Sequence, residues 1–487
     1  MYIGKSIRRI EDPRFLTGRG RYVDDIVLPD TAHAAFVRSP HAHALIRAVR
    51  TGAASAMPGV LAVLTGRDWE NEGLGRAPTV WEVTSRDGSP MHAAPRPMLV
   101  ADKARHVGDT IALVVAEDRD SALEAAEAVE VDFEPLPAVV DLAQALEADA
   151  PCVHDSFGTN LAFDWEMGER KAVDEAFGKA AYVTELELVN NRLSPCPMEP
   201  RATLGSYDRA LDRYTLWTSN QAPHLVRQWL AENTLRVPEH QIRVVAPDVG
   251  GGFGQKIYHY PEEPTVLWAS RKLGRPVRWT STRSENFLVD AQARDHRTKC
   301  RMAFDRDGKI LAIEVDTLAN LGAYHDPFAS CLPTYFYAPM LCGLYTVPTV
   351  YCHVLGVYTT TTPVCAYRGV GRSEAAYVVE RLIENAAREL KVDSRELRRR
   401  NVIRPEQIPY ASPTGVVFDA ADVPGLLDKL DASVDFEALR LAQRRSRETT
   451  EVLGIGLAAF FDAAGAGPSK LSAQQGSRIG FWESAAV

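Results

Sequence analysis

Cysteine is scarce and poorly spaced for chemistry. The seven cysteines (Cys152, Cys196, Cys300, Cys331, Cys342, Cys352 and Cys365) are an odd number without a C-x-x-C pair. That excludes a disulfide framework and leaves neither a zinc nor an iron–sulfur pattern, so most of them read as small buried hydrophobes. No apolar run approaches the roughly 18 residues that a membrane span needs. The opening MYIGKSIRRIEDPRF has no apolar stretch of a secretory signal, which makes the cytoplasm the default compartment. Positive charge is also short: 55 Lys+Arg against 64 Asp+Glu leave −9, which argues against a nucleic-acid partner. The local clusters Arg8–Arg9 and Arg398–Arg400 read as solvated ends or interface charges.

What is present is a globular composition, 46% hydrophobic and 24% charged, over 487 residues, enough for roughly three domains. Residues 1–18 read as an arm, ended by the turn signals Asp12-Pro13, Gly18 and Gly20. Residues 19–137 read as a compact α/β unit. Strand-like runs fall at 33–49, 59–66 and 103–117, a helix starts near Asp118 or Asp120, and Val129, Val131 and Phe133 alternate as a strand. Residues 72–97 form a long loop within it. A linker (138–154) leads to a second α+β unit (155–405), with strands at 179–191, 202–208 and 214–218, a helix at 224–235 and another at 262–273 stopped by Gly274 and Pro276. Strands near 277–281, 299–305 and 310–318 follow, the last two joined by the turn Asp305-Arg306-Asp307-Gly308. Residues 406–487 read as the start of a third unit, with a helix near 424–446 and a final strand-like run, GSRIGFWESAAV.

Two stretches carry chemistry. In VVAPDVGGGFGQK (244–256) a β-branched run ends in four glycines within five residues, Gly250, Gly251, Gly252 and Gly254, around a lone Phe253. Such a bare loop lets a ligand lie against main-chain N–H groups. Gln255 before Lys256 and Ile257 after it rule out a Walker A loop, and the glycine spacing rules out G-x-G-x-x-G. A tight strand-to-helix turn is the plain alternative. In AYRGVGRSEAAYVVERLIENAAREL, apolar residues from Ala375 to Leu390 recur at helical spacing. Arg368, Gly369, Val370, Gly371 and Arg372 precede that helix, with Ser373 placed to cap it. Two arginines at a helix N-terminus make an anion site, unless they pair with surface carboxylates.

Six segments occurring in family order, RRIEDPRFLTGRGRYVDDI, FVRSPHAHA, PMEPRA, TSNQAPH, DVGGGFGQK and AYRGVGR, give a resemblance along the whole chain. The sequence resembles the molybdenum-cofactor-binding large subunit of the xanthine dehydrogenase, aldehyde oxidase and aerobic carbon monoxide dehydrogenase family. The resemblance implies an α+β chain: an N-terminal α/β hammerhead domain, then a molybdenum-cofactor-binding α+β domain, then a second cofactor domain that is truncated here. It implies hydroxylation of an aldehyde or N-heteroaromatic with oxygen from water, and electrons passed to iron–sulfur and FAD subunits. The cofactor is molybdopterin, in bacterial relatives commonly as the cytosine dinucleotide.

Carried over by position, Gln221 matches the glutamine that hydrogen-bonds an oxo group on molybdenum. Gly251, Gly252, Phe253 and Gly254 match the loop that approaches the metal through main-chain N–H groups. Arg368 matches the arginine that faces substrate, and Gly369, Val370 and Gly371 match the loop that passes the cofactor. No side chain need ligate the metal, because the pterin dithiolene does so. Gly369 stands where carbon monoxide oxidisers carry a copper-holding cysteine, and Ile257 where purine oxidisers carry a glutamate, so both substrates are disfavoured. The family's later Gly-Gln-Gly segment and general-base glutamate are absent, so the chain is expected to be inactive without a C-terminal counterpart. Two other readings stay open at this point: a non-catalytic remnant that binds no cofactor, and a pair of loops that bind some other phosphorylated ligand.

Overall fold

The computed structural model describes residues 4–462 and 469–474. The expected final strand-like run lies outside them. The chain is α+β and is built on two large sheets. In the first, strands lie in the order Ile242–Val245, Arg213–Thr218, Ala202–Asp208, Val277–Thr280, Ala32–Arg38, Thr110–Ala116 and Val60–Thr65. This sheet runs across the expected boundary between the first two units. Ala32 and His33 pair in parallel with Val277 and Arg278, because Ala32–Arg38 is largely buried and its outer edge must find hydrogen-bond partners. The α/β unit therefore shares this sheet with strands from beyond the linker. Edge-to-face pairs Trp69–Trp268 (5.3 Å) and Phe36–Trp279 (5.8 Å) join the two contributions.

The second sheet has five strands in the order Leu161–Gly168, Val350–Tyr358, Ile310–Gly322, His296–Phe304 and Tyr182–Asn190. The hairpin at Asp305–Gly308 forms as expected, with the Asp305 N–H donating to Lys309 O at 2.9 Å. Strands Leu161–Gly168 and Val350–Tyr358 escape the sequence reading. The first is interrupted by acids, and the second is buried on both faces and so lacks alternation.

Helix Arg372–Leu390 shares the core of this sheet through Ala375, Val378, Val379, Leu382, Ile383, Ala386 and Ala387. Each large side chain in that stripe contributes about 1.5–3 kcal/mol by burial. The long loop at 72–97 is irregular, as expected, but it is wedged into the protein: Trp81 is 2% exposed and meets Phe336 at 5.5 Å.

Three further expectations change. The helix beginning at Pro223 gives way at Leu230 to a wider π turn. The single helix near 424–446 is two, Val423–Ser433 and Phe436–Ser446, the second capped by Asp435 accepting from Ala438 N. Arg398 is not solvated: it is 0% exposed and donates to Glu380 and Glu384 at 2.8 Å each. Its neighbours Arg399 and Arg400 pair with Asp428, Asp431 and Glu396.

Candidate functional site

The glycine stretch leaves strand Ile242–Val245 and forms an irregular loop before helix Glu262–Leu273. Gly251 (φ 94°) and Gly254 (φ 96°) take left-handed backbone, and so does Phe253 (φ 55°), where a side chain must bear the strain. Gly250 and Gly252 have ordinary φ but no room. A Cβ at 250 would lie 2.4 Å from Glu199 Cβ, and one at 252 would lie 2.3 Å from Gln221 Oε1. The glycines are thus required partly for close approach and partly for conformation.

Gln221 lies across this loop. Its Oε1 accepts from the Gly254 N–H at 2.9 Å, and its own N–H donates to Lys256 O at 2.8 Å. That fixes the carboxamide and leaves Nε2 to donate elsewhere. Among the described residues the N–H groups of Gly251, Gly252 and Phe253 make no hydrogen bond within the protein, and Phe253 is 40% exposed. These donors suit a cofactor laid over the loop. Gly252→Ala is expected to push the Gln221 carboxamide off Gly254. The chain should lose about 1 kcal/mol for that hydrogen bond and exchange its 250–256 amides faster, whereas Gly178→Ala, with open space at the Cβ, does neither. Hydrogen exchange with a urea titration checks both.

The second loaded stretch meets the first. The Arg368 N–H donates to Phe253 O at 2.9 Å, and a Cβ on Gly254 would lie 2.8 Å from Ala366 O. Gly369 (φ 97°), Val370 (φ 29°) and Gly371 (φ 70°) again have positive φ, with the β-branched Val370 the most strained. Gln221, Phe253, Gly254 and the Arg368 backbone are therefore brought together, and Arg368 is an exposed residue. Arg372 is not part of an arginine pair: it binds Asp462 at 3.2 Å and stacks over Phe336. Ser373 does not cap the helix. Gly371 is the N-cap, and Ser373 lies inside the first turn, donating to Glu374 at 3.0 Å.

Sequence reasoning missed the residues that hold the two loops. Arg294, itself at φ 68°, donates to Arg368 O and to Glu374 at 2.7 Å each and so braces the arginine loop from a separate part of the chain. Glu199, inside the PMEPRA segment, and Lys256 sit beneath the glycine loop. Burial pulls the Lys256 ammonium below its ordinary range, and Glu199 opposes that shift. Lys256 is 1% exposed and already hydrogen-bonded, so it offers nothing to a phosphate. Cys365 is buried, which pushes its thiol far up and away from reactivity. Among the described residues no group of three His, Cys, Asp or Glu could hold a metal ion.

Two sheets thus bring together two strained loops with bare backbone donors. Residues 17–137 match the aldehyde oxidase and xanthine dehydrogenase a/b hammerhead domain, and residues 153–402 match the molybdopterin cofactor-binding domain. The chain belongs to the molybdopterin-binding large-subunit family of the xanthine dehydrogenases and aldehyde oxidases. It is 38% identical to the carbon monoxide dehydrogenase large chain of Afipia carboxidovorans, over 96% of this chain and 59% of that one. It is 35% identical to the nicotine 6-hydroxylase large subunit of Paenarthrobacter nicotinovorans, over 100% of this chain and 58% of that one. Quinoline 2-oxidoreductase from Pseudomonas putida 86 superposes with a TM-score of 0.89 at 36% identity, over 98% of this chain and 60% of that one. The chain thus spans 58–59% of the length of these curated relatives.

Proposed function

We propose that the chain is the portion of a molybdenum hydroxylase large subunit that carries one wall of the cofactor site, in an enzyme that oxidises an aldehyde or N-heteroaromatic with oxygen from water. The observation that carries this reading is the Gln221 carboxamide, fixed on Gly254 over a position where no Cβ fits, with the exposed Arg368 beside it. The bound molybdopterin supplies the two-electron redox chemistry and holds the metal itself. This chain's residues bind and orient. Gln221 Nε2 would donate to the cofactor, the N–H groups of Gly251, Gly252 and Phe253 would face it, and Gly369, Val370 and Gly371 would line it. Phe253 walls the substrate side and excludes water. Arg368 places a permanent positive charge where negative charge develops on substrate.

Gly369 supports the choice of substrate. The position carries no thiol, and at φ 97° a side chain there would strain the backbone, which disfavours the copper-dependent oxidation of carbon monoxide. The reading also pairs the chain with iron–sulfur and FAD subunits as electron acceptors, and with a C-terminal large-subunit portion where that is encoded separately. It takes the cofactor as molybdopterin, leaving its nucleotide form open, and places the complex in the cytoplasm. The test is to co-express the chain with those partners, measure molybdenum per mole of complex, and assay reduction of an artificial acceptor with aldehydes and N-heteroaromatics. Stoichiometric metal and turnover support the proposal; a well-folded complex without molybdenum overturns it.

A further inference from the structure

We infer that Glu199 is a positioning residue for the glycine loop, holding both of its ends with one carboxylate so that the N–H groups between them face the cofactor. The inference rests on the cofactor reading above for its purpose, but its geometry stands alone. Glu199 Oε2 accepts three hydrogen bonds: from Gly250 N at 2.7 Å, Lys256 Nζ at 2.9 Å and Ser219 Oγ at 2.6 Å. Lys256 Nζ also donates to Glu199 O at 2.8 Å and to Ser219 Oγ at 2.6 Å. The Glu199 N–H donates to Gly250 O at 3.1 Å, so the first glycine is gripped through both its backbone groups.

Gly250 begins the bare stretch, and Lys256 lies two residues past its end at Gly254. Between these anchors lie Gly251, Gly252 and Phe253, whose N–H groups find no acceptor among the described residues. The grip extends to Gln221, whose N–H is bound by Lys256 O. The missing Cβ at 250 is explained as well, since it would collide with Glu199. A carboxylate that merely neutralised Lys256 would need neither the Gly250 N–H nor a glycine there. Charge-assisted bonds of this kind are short and strong, and they hold the groups they bind in a fixed geometry.

Two double variants separate positioning from charge neutralisation. Glu199→Gln with Lys256→Met, and Glu199→Leu with Lys256→Met, both remove the ion pair; only the first keeps an acceptor for Gly250 N–H. Hydrogen exchange of the 250–254 amides, read by mass spectrometry on the full chain, should be about tenfold faster in the leucine variant at equal global stability, as the loss of one hydrogen bond requires. Equal exchange in the two overturns the inference. Should the leucine variant not fold, Glu199→Asp keeps the charge beside Lys256 but draws the carboxylate back by one methylene. Faster exchange at 250–254 then supports the inference, and unchanged exchange overturns it. Molybdenum content of the co-expressed complexes is the separate readout. An exchange difference with no metal even in the unaltered complex leaves the positioning intact and defeats the cofactor reading.

Discussion

Replacing Arg201 with methionine is expected to destabilise the chain by about 3–5 kcal/mol, the cost of stranding a buried charge. Arg201 is 5% exposed and bridges two carboxylates that are more deeply buried, donating to Asp290 Oδ1 at 2.6 Å and to Glu262 Oε2 at 2.7 Å. Its guanidinium lies 3.6 Å from the centre of the Tyr260 ring, which adds a cation–π contact. Glu262 keeps a second partner in Arg38 at 2.7 Å, so Asp290 suffers most when Arg201 is lost. Burial already pushes Asp290 above the usual carboxylate range, with Arg201 opposing it.

Arg201→Lys should recover only part of the loss, because a point charge cannot span both acceptors as the planar fork does. Arg201→Met combined with Asp290→Asn should be markedly more stable than the sum of the single changes, since the pair is coupled. Urea unfolding measures all three. A loss below about 1 kcal/mol for Arg201→Met, the range of exposed pairs, would refute the buried bridge. The consequence reaches the site, because Arg201 lies two residues after Glu199 in the same PMEPRA segment.

Stability should also fall steeply as pH drops from about 6.5 toward 4. Burial lowers His106 and His154 to about 4 and His325 to about 3. In each case the unfolded chain, with an ordinary histidine pKa near 6.5, binds protons that the folded chain refuses. Stability from these groups is therefore complete above the unfolded value and is lost as pH falls toward the folded one. A shift of two units corresponds to about 3 kcal/mol for one histidine, a large share of a typical domain's stability.

His325 shows the cause in atoms. It is fully buried, and its Nε2 accepts from the Ser330 N–H at 3.3 Å, so in the neutral ring the proton sits on Nδ1, which has no partner among the described residues. Protonating Nε2 breaks the Ser330 bond and leaves a buried cation. Asp290 and Asp326, which burial pushes up, titrate in the opposite sense, so the histidine contribution is best isolated by substitution. His325→Gln should lower stability at pH 7 yet flatten the decline between pH 6.5 and 4. An unchanged slope would contradict the assignment.

The local features were largely legible from sequence. Helix Arg372–Leu390 declared itself by its apolar period, and helix Glu262–Leu273 ends at Gly274 because that residue adopts φ 68°. The Asp305–Gly308 turn follows from its composition in the same way. Where the reading failed, the deciding partner was distant. Arg398 looked solvated in a run of arginines, but Glu380 and Glu384 come from another helix to cover it. Ser373 looked like a cap, but a bond from Ala375 N–H to Gly371 O begins the helix earlier. The compact first unit proved open because its strand Ala32–Arg38 pairs with Val277–Thr280, more than 200 residues away along the chain.

The sequence by itself determined the family, the α+β class and the bare glycine loop, since these depend on residue types in short motifs, and it marked Gln221 and Arg368 as the site candidates. Only the tertiary structure decided that the two loops touch, that Arg294 braces one and Glu199 with Lys256 the other, and that Arg372 is turned away to Asp462. The physical reason is that hydrogen bonds and buried ion pairs between remote segments leave no period or local composition behind. They are selected by geometry, which exists only after the sheets have closed.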